Sequence, residues 1–70
     1  MADRWIDPSA QVGEGTEFGS GVVVEAGARI GRNCRLGHHV VVRAGTEIGD
    51  EVRLDDFVSL GKLPLRAVNS

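Results

Sequence analysis

Large apolar side chains recur along this chain at every sixth position: Ile6, Val12, Phe18, Val24, Ile30, Leu36, Val42, Ile48, Leu54 and Leu60. Two positions before each stands a second phased column, small or β-branched: Ala10, Thr16, Val22, Ala28, Cys34, Val40, Thr46, Val52 and Val58, with Arg4 as the exception. Side chains two apart on a strand point the same way, so each hexad predicts a short strand with a large and a small residue facing inward. A helix does not fit, because positions spaced by six drift around a turn of about 3.6 residues and never gather into one stripe. Glycine follows the large residue at Gly13, Gly19, Gly31, Gly37, Gly49 and Gly61, and two positions later come Gly15, Gly21, Gly27, Asn33, His39 and Gly45. Glycine and asparagine tolerate positive φ and histidine is enriched there, so this column predicts the left-handed position of a recurring corner. Three such hexads close a triangular coil, and coils stacked in register bring residues eighteen apart over one another at about 4.8 Å. The pattern predicts an all-β chain, a single-stranded parallel β-helix of about three coils over residues 1–61. Residues 62–70, where Pro64 and Arg66 break the pattern, form a C-terminal tail or makeshift cap.

The outward positions test that register. Glu25 falls over Arg43, Arg29 over Glu47, Glu17 over Arg35, and Arg32 between Glu14 and Asp50, while Arg35 over Arg53 is a like-charge exception. Two of the three faces carry polar outward columns, Gln11, Arg29, Glu47 and Glu17, Arg35, Arg53. The third carries Trp5, Val23, Val41 and Ser59, so its strands are apolar on both sides, as expected of a surface that something else covers. That face is the predicted interface between subunits.

Size makes such an interface plausible on physical grounds, since a chain of 70 residues buries too little surface for a comfortable isolated core. One cysteine, Cys34, rules out an internal disulfide framework and fits a reducing compartment, so the expected location is the cytoplasm. A net charge of -2 with acids and bases interspersed offers no basic stripe to a nucleic acid. The opening MADRWID carries charge from its third residue and leads into no long apolar run, so neither a signal peptide nor a membrane span is expected.

The hexads VGEGTE, IGRNCR, LGHHVV and IGDEVR follow an aliphatic, glycine, variable, variable, small, variable rule, and in this the chain resembles the hexapeptide-repeat acyltransferase superfamily over residues 6 to about 61. The opening IDPSAQVGEGTEFG is similar to the first coil of sugar-type acyltransferases in that superfamily. The resemblance implies a left-handed coil and a homotrimer with parallel helix axes. It also implies acyl transfer, acetyl above all, from a coenzyme A or carrier-protein thioester to a sugar-type amine or hydroxyl, in the cleft between subunits. It does not imply a bound cofactor. The fold alone also carries non-catalytic domains, so a trimerising module, or the front portion of a longer transferase, is the alternative, with end-to-end stacking as another way to cover an open coil.

Within this frame the only histidines, His38 and His39, fall on the corner that leads into the apolar face. In the family a histidine takes the acceptor's proton, a role that suits a side chain titrating near neutrality. Ser20, His38 and Asp56 share one corner column, and Gly21, His39 and Phe57 the next. A carboxylate in line with His38 makes it the preferred base, with Asp56 orienting it and His39 as the alternative. A Ser-His-Asp nucleophile is disfavoured, because a column of turn residues offers no prearranged oxyanion donors. Zinc is not expected either: carbonic anhydrases of similar fold use three spaced histidines, and that spacing is missing here. Cys34 belongs to the inward column and is expected in the core.

Overall fold

A computed structural model describes residues 4–61; the tail or cap expected over 62–70 lies outside the described residues. The hexads form strands of two or three residues: β1 (Arg4–Ile6), β2 (Gln11–Val12), β3 (Glu17–Phe18), β4 (Val22–Val24), β5 (Arg29–Ile30), β6 (Arg35–Leu36), β7 (Val41–Val42), β8 (Glu47–Ile48), β9 (Arg53–Leu54) and β10 (Ser59–Leu60). They stack as three parallel sheets in the orders β1-β4-β7-β10, β2-β5-β8 and β3-β6-β9. Every pair keeps the eighteen-residue offset, as in Trp5 beside Val23, Val23 beside Val41 and Val41 beside Ser59. The chain is a parallel β-solenoid of about three turns, and among its described residues no helix is long and apolar enough to cross a membrane.

Both inward columns fill the interior. Val22, Val24, Ala28, Ile30, Cys34 and Leu36 of the middle turn are buried, together with Val40, Val42 and Ile48 of the next. Ile6, Ala10, Val12 and Phe18 at one end and Val52, Leu54, Val58 and Leu60 at the other pack against them while staying partly exposed. Among the described residues the first and last turns have a stacked neighbour on one side only, which produces this gradient. Arg4, the misfit of the small column, is exposed, and its guanidinium carbon lies 5.3 Å from the centre of the Phe18 ring. A cation thus covers the aromatic member of the end turn. Polar members of the small column find partners. Thr16 donates its hydroxyl to the Gly31 carbonyl at 2.8 Å and accepts the Cys34 N–H at 3.2 Å, and the Cys34 thiol donates to the Gly49 carbonyl at 3.1 Å.

The corners follow the predicted column. Gly15, Gly21, Gly27 and Gly45 have φ between 71 and 78°, and Asn33 and His39 have φ of 57 and 56°. The same conformation continues at Glu51 and Phe57, with φ of 60 and 62°, where the residue type gives no hint of it. There the stacking imposes the backbone: Glu51 N–H reaches the Arg32 carbonyl and Phe57 N–H the His38 carbonyl, each at 2.8 Å. A left-handed residue with a Cβ costs roughly 1–2 kcal/mol, of which asparagine recovers part. Glu51→Asn is therefore expected to raise the unfolding free energy by about 0.5–1 kcal/mol, read as a higher denaturant midpoint at unchanged slope.

The expected charge columns are only partly used. Arg35 pairs with Glu17 at 3.1 Å and Arg43 with Glu25 at 3.4 Å, all four side chains exposed enough that each pair contributes little. Arg29 sits opposite Glu47 in register, yet among the described residues no ion pair joins them. Asp50 does not bind the Arg32 guanidinium: its Oδ1 accepts the Arg32 main-chain N–H at 2.8 Å. Asp7 shows the same habit, accepting the N–H and hydroxyl of Ser9 at 2.8 and 2.7 Å, which holds its carboxyl below the ordinary value. Corners leave main-chain donors without strand partners, and short acids satisfy them.

Candidate functional site

The corner between β6 and β7 carries both histidines. It lies between the corner at Ser20 and Gly21 and the one at Asp56 and Phe57, tied by His39 N–H to the Ser20 carbonyl at 2.7 Å and by Phe57 N–H to the His38 carbonyl at 2.8 Å. His39 takes the left-handed position, and the two adjacent rings line different depressions.

His38 faces back toward β3 and β6. It lines a small depression of about 230 Å³ with Glu17, Phe18, Gly19, Arg35 and Leu36. Its Nδ1 accepts the main-chain N–H of Ser20 at 2.8 Å, so the neutral ring carries its proton on Nε2. A cramped approach makes this bond, because a Cβ on Gly19 would lie 2.7 Å from that nitrogen. The lone pair a base would use is thus occupied by the corner.

Asp56 shares the column as expected but does not meet the imidazole as expected. Its Oδ1 accepts the main-chain N–H of His38 at 2.8 Å, so the carboxylate orients the backbone of the histidine and not its ring. The cause is the one seen at Asp7 and Asp50: an orphan corner N–H lies within reach of a short side chain and offers a better-placed donor than the neighbouring ring.

His39 faces forward, toward the apolar sheet. With Arg4, Trp5, Ser20, Val22 and Val23 it lines a shallow, mainly apolar depression of about 560 Å³. Trp5 is 53% exposed and Val23 and Val41 are half-buried, so the apolar column marked by the sequence forms a continuous outward surface beside the histidine. The His39 ring stacks on Phe57 with centroids 5.2 Å apart and planes 9° from parallel. Among the described residues no hydrogen bond engages either nitrogen of this ring, which leaves its lone pair available.

A third depression, of about 530 Å³, lies on the β2-β5-β8 face around Gln11, Arg29, Glu47 and the glycines beside them, without a nucleophile or imidazole. Cys34 is 2% exposed and its thiol donates into the core. Among the described residues, no three histidine, cysteine, aspartate or glutamate side chains come together as a metal-binding group. The geometry therefore separates the two histidines that the sequence placed side by side, and it brings in two aromatic residues, Trp5 and Phe57, that had not been assigned to the site. Their signal was present in the eighteen-residue offset, which sets Phe57 over His39 and Gly21 beneath it.

No curated protein and no solved structure matches the chain significantly. The family profile described as bacterial transferase hexapeptide (six repeats) matches residues 9–44, just over half of the 70 residues and the stretch that holds the buried turn and both histidines. Together with the hexad columns and the parallel solenoid that they build, this match shows that the chain belongs to the bacterial transferase hexapeptide family.

Proposed function

We propose that the chain works as an acyltransferase-like protein. It would move an acyl group, acetyl in the simplest case, from a coenzyme A or carrier-protein thioester to a sugar-type amine or hydroxyl. The coil is left-handed in this reading, as in the superfamily it resembles, and three copies assemble through the face bearing Trp5, Val23, Val41 and Ser59. The free thiol of Cys34 supports a reducing, cytoplasmic setting.

The observation that carries the proposal is the place of His39, an imidazole with an uncommitted lone pair on the rim of an apolar depression that runs onto the sheet a second subunit would cover. Docking there would turn a shallow surface into a walled cleft and exclude water from the imidazole. His39 takes the proton of the acceptor N–H or O–H as that atom attacks the thioester carbon. A C–N or C–O bond forms, the C–S bond breaks as the tetrahedral intermediate collapses, and the imidazolium returns its proton to the departing thiolate. His38 and Asp56 serve the same site indirectly, by holding the corner.

The commitment of His38 and Asp56 to main-chain donors supports a second reading, a trimerising module without catalysis. One set of experiments separates the two. With acetyl-coenzyme A and a panel of amino and hydroxyl sugars, His39→Ala is expected to lower turnover by about 10²- to 10⁴-fold, and His38→Ala by less. In sedimentation, Val23→Glu combined with Val41→Glu is expected to convert the trimer to monomer, because two buried charges per subunit have no partner in the apolar seam. Equal turnover in His39→Ala would remove the enzymatic reading, and an intact trimer in the double variant would remove the assigned interface.

A further inference from the structure

We propose that Phe57 is a positioning residue for the His39 imidazole, holding it in the orientation that proton transfer needs; the proposal rests on the reading of His39 as the base. Phe57 is 77% exposed, so it contributes almost nothing to the core. Its backbone sits at φ 62°, a conformation that suits asparagine or glycine and not a bulky aromatic residue. Neither burial nor local backbone preference accounts for a phenyl ring at this position. The ring's one described aromatic contact does: it lies nearly parallel to His39, 5.2 Å away and inclined by 9°.

The opposite side of the imidazole is equally specific. Gly21 lies beneath it in the same column, and a Cβ there would press into His39 Nδ1 and lie 2.7 Å from Cε1. The imidazole is thus held between a bare stretch of main chain and an aromatic face. Rotation about either side-chain torsion would drive it into one or pull it off the other. His38, one residue earlier, is fixed by a hydrogen bond that uses its lone pair. A stack fixes His39 without using a nitrogen, which is what a base at the edge of a cleft requires. A displaced imidazole would still bind nothing and block nothing; it would only present its lone pair in the wrong direction, and small misplacements of this kind slow the chemical step strongly.

The test uses the full chain with Phe57→Asn, which suits the left-handed backbone but removes the ring, and Phe57→Tyr, which keeps the stack. The His39 Cε1–H resonance, assigned with the help of His38→Ala, reports the stack directly, because a proton over an aromatic face is shifted upfield. Phe57→Asn is expected to stay folded, to move that resonance downfield, and to lower kcat with acetyl-coenzyme A about tenfold or more while KM for the thioester changes less than about twofold. Phe57→Tyr is expected to restore both the resonance and kcat. An unmoved His39 resonance in Phe57→Asn, or a moved resonance with unchanged kcat, overturns the positioning role alone. Absence of turnover in the wild-type chain, or wild-type turnover in His39→Ala, overturns the base assignment and the positioning role with it, while the resonance still reports whether the stack exists.

Discussion

Leu36→Ala is expected to leave most of the chain unfolded at room temperature. Leu36 is 1% exposed and sits in register between Phe18 and Leu54, so truncation opens a void at the centre of the turn that, among the described residues, is stacked on both sides along all three sheets. Substitutions of this type cost about 2–5 kcal/mol, the upper part of the range applying where the walls cannot collapse. Here they cannot move far, because the main chain on either side is pinned by hydrogen bonds such as Glu17 N–H to the Cys34 carbonyl and Gly37 N–H to the Leu54 carbonyl, both 2.9 Å. A core this small supplies roughly 3–5 kcal/mol in total, so the loss is comparable to the whole. Far-ultraviolet circular dichroism with urea titration reads the outcome. Leu36→Met, which keeps the volume, is expected to cost less than about 1.5 kcal/mol, and Leu60→Ala, at the partly exposed end, to fall well short of Leu36→Ala. A cooperative, near-native unfolding curve for Leu36→Ala would mean that the stack is held by something other than its inward columns.

Gly31→Ala is expected to damage the fold almost as severely, for a reason unrelated to φ. A Cβ on Gly31 would lie 2.6 Å from the carbonyl carbon of Gly49 and 2.7 Å from its oxygen, and would press on Asp50 Oδ1. Gly49 is backbone, so relief requires the turns to separate, against the 2.8 Å bond from Gly31 N–H to the Ile48 carbonyl. It also pushes away the carboxylate that accepts the Arg32 N–H. Overpacking costs about 1–3 kcal/mol, and loss of that acceptor adds about 1 kcal/mol. Gly49→Ala is the matched comparison, since a Cβ there meets no described atom within 4 Å. It is expected to change the unfolding free energy by less than about 1 kcal/mol, read from the urea midpoint at unchanged slope. If the two alanine variants were equally stable, close approach of the turns would not be what glycine provides in this column.

These cases show why some features were readable beforehand and others were not. The columns of Leu36 and Gly31 could be read because each is a property of the period: one residue type, one direction, one neighbour eighteen positions away. The left-handed corners were readable at Gly15 or Asn33, where the residue type matches the backbone. They were unreadable at Glu51 and Phe57, where the turn below dictates the backbone against local preference. The column of Ser20, His38 and Asp56 was likewise visible, but not the atoms that meet in it. Sequence position brought the Asp56 carboxylate close to His38; competition between an imidazole and an orphan main-chain N–H decided which of them it binds. Arg29 and Glu47 make the same point from the other side, as complementary charges in register that form no ion pair. Period determines neighbours, whereas rotamers answer to unsatisfied backbone groups.

The constant offset between stacked strands has a genetic consequence. Any residue's vertical neighbour is reached only after a complete circuit of the three sheets, so a coding change that adds or removes one whole circuit leaves every column aligned and alters only the length of the stack. A gain or loss of a single hexad preserves the local strand and corner yet hands every later outward residue to the next face. Inserted ahead of β7, one hexad would carry Val41 off the apolar sheet and detach the second half of the apolar surface from the first, although no individual repeat would look defective. Natural lengthening of such a chain is therefore expected to proceed in steps of a full circuit, the smallest heritable change that keeps its surfaces intact.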